Sequence, residues 1–218
     1  MASLRAKFYS ALLRKVIRGG LLPEGEKGLK LARERMDQGG ILGALMSSTA
    51  PTRQDTINGC YSEWHGDPNS RHTLLYLHGG GYILGGPETH RAMVKQICKY
   101  AGVQALLVDY RKAPENPFPA AIEDAEAAYD FLIAKGVAPE NMLLAGDSAG
   151  AGLSLALMLT LKENGKAQPK AVALLSPWSD LTASGASLVE RADRDPMIDA
   201  TRIQEAIDFY RGDEPASN

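Results

Sequence analysis

Gly146-Asp147-Ser148-Ala149-Gly150 sets a serine among small residues in the pattern G-x-S-x-G. An apolar run at 141–145 leads into it, and a Gly- and Ala-rich helical pattern reaching about Leu161 leads out. A sharp strand-to-helix turn of this kind, a nucleophile elbow, exposes the serine hydroxyl above a sheet. Small residues at Gly146 and Gly150 suit a turn that brings the strand and helix backbones close together. The helix N-terminus beneath Ser148 also offers backbone N–H groups to a developing oxyanion. The chemistry is nucleophilic attack on an acyl carbonyl. The competing reading is a glycine-rich turn holding an ordinary serine, and the flanking strand and helix favour the elbow.

His78-Gly79-Gly80-Gly81-Tyr82 ends a second apolar run at 73–77, 70 positions before Ser148. Three glycines let N–H groups turn into a pocket without interference from a Cβ, and acyl transfer needs such donors. Alone, the triplet would equally suit a flexible loop. Upstream of an elbow, each motif predicts the other. Asp147 is expected to fix the elbow rather than to abstract a proton. Trp178, after a strand, reads as a packing or pocket-wall residue. His65, His72 and His90 read as surface or loop residues.

The elements that position these motifs follow from periodicity. Two helical patterns, about 3–18 and 24–37, open the chain and are separated by Gly19-Gly20 and Pro23. Phe8, Leu12 and Val16 mark one face of the first. A Gly-, Ser-, Thr- and Pro-rich loop runs on to Pro51. Short strands are then predicted at 61–65, 73–77, 103–108, 141–145 and 171–175. Helices are predicted at about 88–100, with Met93, Val94, Ile97 and Ala101 on one face, and at about 119–134, with Ile122, Ala125, Tyr129, Leu132 and Ile133 aligned. A last helix, about 199–210, carries Ile203, Ala206, Ile207 and Tyr210 on one stripe. Near-continuous apolar strands alternating with helices specify an α/β fold, a mostly parallel, doubly wound sheet covered on both faces.

Composition narrows the function classes. The 218 residues are 44% apolar with a net charge of −2, which suits a globular chain and gives no reason to expect nucleic acid. No apolar run is long enough for stable membrane insertion. Residues 1–23 hold five basic and no acidic side chains, but Arg14 and Lys15 interrupt the apolar stretch a secretory signal would need. Cytoplasm is therefore the default, although a transit peptide or membrane-surface helix would share this charge pattern. Cys60 and Cys98 are too few for a disulfide framework and lack metal-ligand spacing, so both are expected as buried thiols.

The two motifs, with Asp109-Tyr110-Arg111-Lys112-Ala113-Pro114-Glu115-Asn116-Pro117-Phe118-Pro119 and Ser176-Pro177-Trp178-Ser179-Asp180-Leu181, make residues 56–211 resemble the hormone-sensitive-lipase-like carboxylesterases of the α/β-hydrolase fold. Lys112 and Asn116 stand where that family more often has Leu and His. The resemblance implies Ser148 as nucleophile. It implies the N–H groups of Gly80, Gly81 and Ala149 as the oxyanion hole, with Gly79 shaping the loop. Tyr82 and Trp178 are the candidates for contact with a small-molecule ester substrate. It further implies that residues 1–50 are an N-terminal helical cap segment and 51–218 the hydrolase core. No metal or organic cofactor is implied. Oligomeric state stays open, a homo-oligomer included. Asp195-Pro196-Met197 superficially resembles the family's acid motif, but a helix follows it with no intervening strand.

A serine nucleophile needs a base, and the base needs an orienting carboxylate. On this fold the order is Ser, acid, His. All four histidines here, His65, His72, His78 and His90, precede Ser148. The sequence is therefore expected to lack the triad acid and base and the strands that carry them, leaving 171–175 as an apolar sheet edge. Three readings stay open: an incomplete copy of an esterase, a genuine non-enzymatic binding or interaction module, or a site completed by a partner chain or an upstream histidine.

Overall fold

The computed structural model describes residues 3, 8, 10–11, 25–34, 51–195 and 200–214. Most of the predicted first helix, the loop at 38–50 and residues 196–199, including the end of the Asp195-Pro196-Met197 motif, lie outside the described residues. Helix is present at 25–34, within the second predicted N-terminal helix.

Six strands form one sheet: β1 (Arg53–Ile57), β2 (Cys60–His65), β3 (Thr73–Leu77), β4 (Gln104–Val108), β5 (Met142–Asp147) and β6 (Ala171–Leu175), in the order β1-β2-β4-β3-β5-β6. From β4 to β6 the pairing is parallel, while β1–β2 and β2–β4 are antiparallel. The hairpin through β1 was not predicted. Its signal is Asn58-Gly59, both at positive φ, a dipeptide that matches the twist of a two-residue hairpin turn. β1 itself reads polar, RQDTI, with only its last residue, Ile57, buried, so periodicity is silent there.

Four principal helices accompany the sheet: α1 (Pro87–Ala101), α2 (Ala120–Ala134), α3 (Ser148–Glu163) and α4 (Ala200–Arg211). All five residues of β3 are buried because each sheet face is covered. Leu75, Leu77, Leu106, Val108 and Leu144 pack in one core with residues of α2 and α3. Leu74, Tyr76, Ala105, Leu107 and Ala145 pack in a second core with Val94 and Cys98 of α1. The predicted α1 stripe holds at Val94, with Met93 and Ile97 packed against the second core, and fails at Ala101. Arg91, Val94 and Cys98 are buried whereas Ala101 is exposed, and Ile133 likewise falls outside the buried face of α2. On α4 the predicted stripe holds, with Ala206, Ile207 and Tyr210 buried. Both cysteines are buried free thiols, and burial is the first cause raising them, Cys60 to about 12 and Cys98 to about 11. β6 is one edge of the sheet, opposite β1, with Ala171, Ala173 and Leu175 exposed.

Arg91 is buried because it serves an acid inside the sheet. Glu63 of β2 is fully buried and accepts from Arg91 Nε at 2.8 Å, from Tyr61 Oη at 2.8 Å and from His65 Nε2 at 3.1 Å. Burial pushes the Glu63 carboxyl up, but bonds from His65, Arg91 and Tyr61 outweigh it and hold its pKa at about 2. His65 is thus a core residue of β2 and not the surface or loop residue expected.

Removing one partner strands the other charge in the core. Arg91→Met is expected to lower unfolding free energy by about 3–5 kcal/mol, read from urea denaturation at neutral pH. A depressed carboxyl pKa stabilises the fold above the unfolded value and loses that contribution as pH falls towards the folded one. Wild type should therefore lose stability from pH 4.5 down towards about 2, and Glu63→Gln should flatten that limb in melts taken across the same range.

Candidate active site

Ser148 sits where β5 becomes α3, half-buried and at φ 50°. A non-glycine residue rarely adopts this left-handed conformation, and strain of this kind concentrates at functional sites. The turn is possible because two glycines flank it. A Cβ on Gly146 would lie 2.5 Å from the Gly150 carbonyl, and one on Gly150 would overlap the carbonyls of Leu77 and His78. The parallel register sets Leu77 beside Gly146, so the end of β3 and the elbow are neighbours by construction.

That neighbour continues into the glycine loop. Gly80 takes φ 130°, accessible only without a side chain, and its carbonyl accepts from Leu84 N at 2.8 Å and Ile83 N at 3.2 Å. Among the described residues, the N–H groups of Gly80 and Gly81 have no hydrogen-bond partner. Ala149 is the first residue after Ser148 on α3, where helix geometry leaves N–H groups without an intrahelical acceptor. All three N–H groups predicted for an oxyanion hole are thus spare donors beside the elbow.

Asp147 joins loop to elbow. Its Oδ1 accepts from Gly79 N at 3.0 Å and Tyr76 Oη at 2.9 Å, and its Oδ2 lies 3.3 Å from His90 Nε2. Burial pushes this carboxyl up, but the bond and charge of His90, then the Tyr76 and Gly79 bonds, hold it below the usual range. Gly79 packs so closely on Asp147 that a Cβ there would overlap the carboxylate.

His78 shapes the same loop from below. Its Nδ1 lies 2.8 Å from Gly79 O, an acceptor, so Nδ1 carries the proton. Its ring stacks on Tyr110 at 4.2 Å, and Tyr110 Oη donates to the His78 carbonyl at 2.6 Å. Burial first, then the charges of Lys112 and His90, lower its pKa to about 3, so it stays neutral. Lys112, where the family more often has Leu, pairs with Asp109.

Helix α4 and the segment after β6 pack beside the elbow and the glycine loop. Trp178 N donates to Ser148 O at 2.9 Å, welding the segment after β6 to the elbow. A Cβ on Gly81 would lie 3.8 Å from the Trp178 ring and 3.8 Å from Ala206 of α4. Tyr82 is 4% exposed and stacks on Tyr210 at 3.8 Å, so its ring is packed rather than facing open space. The 25–34 helix reaches this region through Arg33, which donates to Ile83 O at 2.8 Å and to Ala113 O at 2.6 Å.

Among the described residues, no histidine bonds Ser148. His65 is committed to Glu63, His78 to Gly79 and His90 to Asp147. The sequence reading missed the Tyr76–Asp147–His90 cluster. His90 stands at the start of α1 and not in a loop, and these three residues meet through the pairing of β3 with β5 and the docking of α1.

Comparison with known proteins gives a consistent picture. A protein family described as alpha/beta hydrolase fold matches residues 74–218. An acetyl-hydrolase of Streptomyces hygroscopicus is 42% identical over 156 residues, covering 71% of this chain and 52% of that protein. An esterase of Acinetobacter venetianus is 36% identical over 141 residues, covering 65% of this chain and 46% of its own length. The chain thus spans about half the length of these curated relatives. Among solved structures, EstE5 soaked with p-nitrophenyl butyrate superposes with a TM-score of 0.86 at 35% identity, covering 99% of this chain and 71% of that one. An esterase from the bacterial hormone-sensitive lipase family superposes at 0.87 with 34% identity, covering 100% of this chain and 72% of that one.

If Asp147 works as a shared acceptor, Asp147→Ala leaves three donors, Tyr76 Oη, Gly79 N and His90 Nε2, unmatched and should cost about 3 kcal/mol, against about 1 kcal/mol for Asp147→Asn, which keeps an oxygen there. Chemical denaturation of the three proteins checks this. Equal losses would place the effect in packing alone.

Proposed function

This chain belongs to the α/β-hydrolase fold family, among its hormone-sensitive-lipase-like carboxylesterases, and from that premise we propose that it carries the nucleophile and oxyanion hole of a serine esterase acting on small carboxylic esters. Ser148 Oγ attacks the ester carbonyl carbon and gives up its proton to a base. The oxyanion is received by the N–H groups of Gly80, Gly81 and Ala149. The tetrahedral intermediate expels the alcohol, which takes a proton, and leaves an acyl-serine that water hydrolyses. The observation that carries this reading is the pair of spare N–H groups at Gly80 and Gly81 on a loop tied to the residue before Ser148.

Trp178, with Tyr82 behind it, is the proposed wall on the substrate side. Residues 1–50 are the proposed cap segment, a role supported by the seating of the 25–34 helix on Ile83 and Ala113. The name of one relative, acetyl-hydrolase, supports a short acyl group. Location in the cytoplasm and the absence of any cofactor belong to the same reading.

The proton of Ser148 is the weak point of the 218-residue chain taken alone. With every histidine upstream and three of them committed elsewhere, the chain should turn over about a million-fold more slowly than a complete triad. A fluorophosphonate probe followed by intact-mass analysis tests this. The expected result is a slow single adduct on Ser148, accelerated by added imidazole acting as the missing base and absent from Ser148→Ala. No adduct with or without imidazole would overturn the esterase reading in favour of a non-hydrolytic binding module.

A further inference from the structure

His90 occupies a position that the serine chemistry does not use. It lies in the first turn of α1, and its side chain is largely enclosed, with Nε2 at 3.3 Å from Asp147 Oδ2. Next to it in the chain, Arg91 is clamped by the buried Glu63 of β2 and by Glu88. That clamp fixes the start of α1 against the sheet, and with it the place from which His90 reaches Asp147.

The protons around the ring can be assigned from donors and acceptors alone. An ionised carboxylate only accepts, so Nε2 must carry a proton. Nδ1 lies 2.7 Å from Thr89 Oγ1 and 3.3 Å from Gly86 O. The Thr89 hydroxyl can donate to an unprotonated Nδ1. It can equally turn to Gly86 O, 2.9 Å away, and accept from a protonated one. Neutral ring and imidazolium are each fully partnered, and the Nε2–H bond to Asp147 is common to both.

We infer that His90 is a positioning residue of the oxyanion loop: its Nε2–H holds the Asp147 carboxylate in the orientation that receives Gly79 N–H, and the Thr89 hydroxyl keeps that latch closed in either protonation state of the ring. The inference rests on the proposed reading of residues 79–81 as the oxyanion loop. Gly79 is the residue through which the latch acts. With its N–H drawn to Asp147 and its carbonyl drawn to His78 Nδ1, both peptide planes flanking Gly79 are held, including the one that carries the Gly80 N–H.

The groups that face the ring come from every neighbouring element. Tyr76 of β3 lies with its ring centroid 6.4 Å away and the His78 ring 5.5 Å away. Asp147 closes the side of β5 and α3. The Asp109–Lys112 pair follows β4 on the far side of His78, and Glu88 and Arg91 are its charged neighbours on α1, paired with each other. The one acceptor that Nε2 meets among them is the Asp147 carboxylate.

Three measurements test this. In ¹⁵N NMR of the His90 ring, Nε2, which faces the Asp147 carboxylate, should stay protonated from pH 5 to 8. An Nε2 that loses its proton within that range overturns the latch. In hydrogen exchange, His90→Phe should lower protection of the Gly79 amide by about tenfold and His90→Gln, which restores an N–H at the Nε2 position, should recover most of it. Amides of α1 should be unchanged in both variants. A loss spread along α1, or no recovery with Gln, would mean that His90 only packs the helix. Phosphonylation of Ser148 with imidazole present should slow about tenfold in His90→Phe with no change in the probe concentration at half-saturation. If wild-type Ser148 is not labelled at all, the esterase reading fails while the Gly79 exchange still decides the latch.

Discussion

Two backbones approach closely where β3 ends and α3 begins, and the rest of the site is arranged around that contact. The Leu77 and His78 carbonyls lie where a side chain on Gly150 would have to go, and the Gly150 carbonyl lies where one on Gly146 would. Because the contact is backbone on backbone, the glycine loop leaving β3 and the serine leaving β5 stay adjacent however the surface side chains move. The same closeness explains why Ser148 tolerates a left-handed conformation. The register of β3 with β5 on one side and the burial of α3 on the other leave it no alternative.

Charge completes what the backbone contact starts. Two acids lie against α1, the fully buried Glu63 of β2 and the half-buried Asp147 at the end of β5, and α1 serves both through consecutive residues. Arg91 neutralises the first and His90 meets the second. Consecutive helix residues diverge by about 100°, so one helix can reach two acids lying in different directions. Breaking either pair would leave a carboxylate in a poorly solvated place, so the docking angle of α1 is tightly set. The outcome is a glycine loop tied at both the N–H and the carbonyl of Gly79, and in the proposed esterase reading this would preorganise its donors for acyl transfer.

Reading from sequence succeeded where the signal was local. β3, β6, α2 and α3 fall within a few residues of their expected ends because uninterrupted apolar runs and helical spacing report burial directly. Ser148 and the glycine loop were legible for the same reason, since their residue types encode backbone geometry. The reading was weaker where burial depends on a partner remote in the chain. β1 is a polar strand stabilised by pairing with β2, Arg91 and His65 are inside because Glu63 is inside, and Ala101 of the expected α1 stripe is exposed. No periodicity of hydrophobicity can announce a buried arginine.

By itself the sequence determined the strand–helix alternation, the serine elbow, the glycine loop and the upstream position of every histidine, because each is a matter of residue type and order. Only the tertiary structure decided what the histidines are for. His65, His78 and His90 look alike in sequence, yet one ties a buried glutamate, one braces the Gly79 carbonyl and one meets the carboxylate beside the serine. The physical reason is that an imidazole's role is set by the acceptor it meets. In each case that meeting is made by strand pairing and helix docking across the chain and not by the residues on either side.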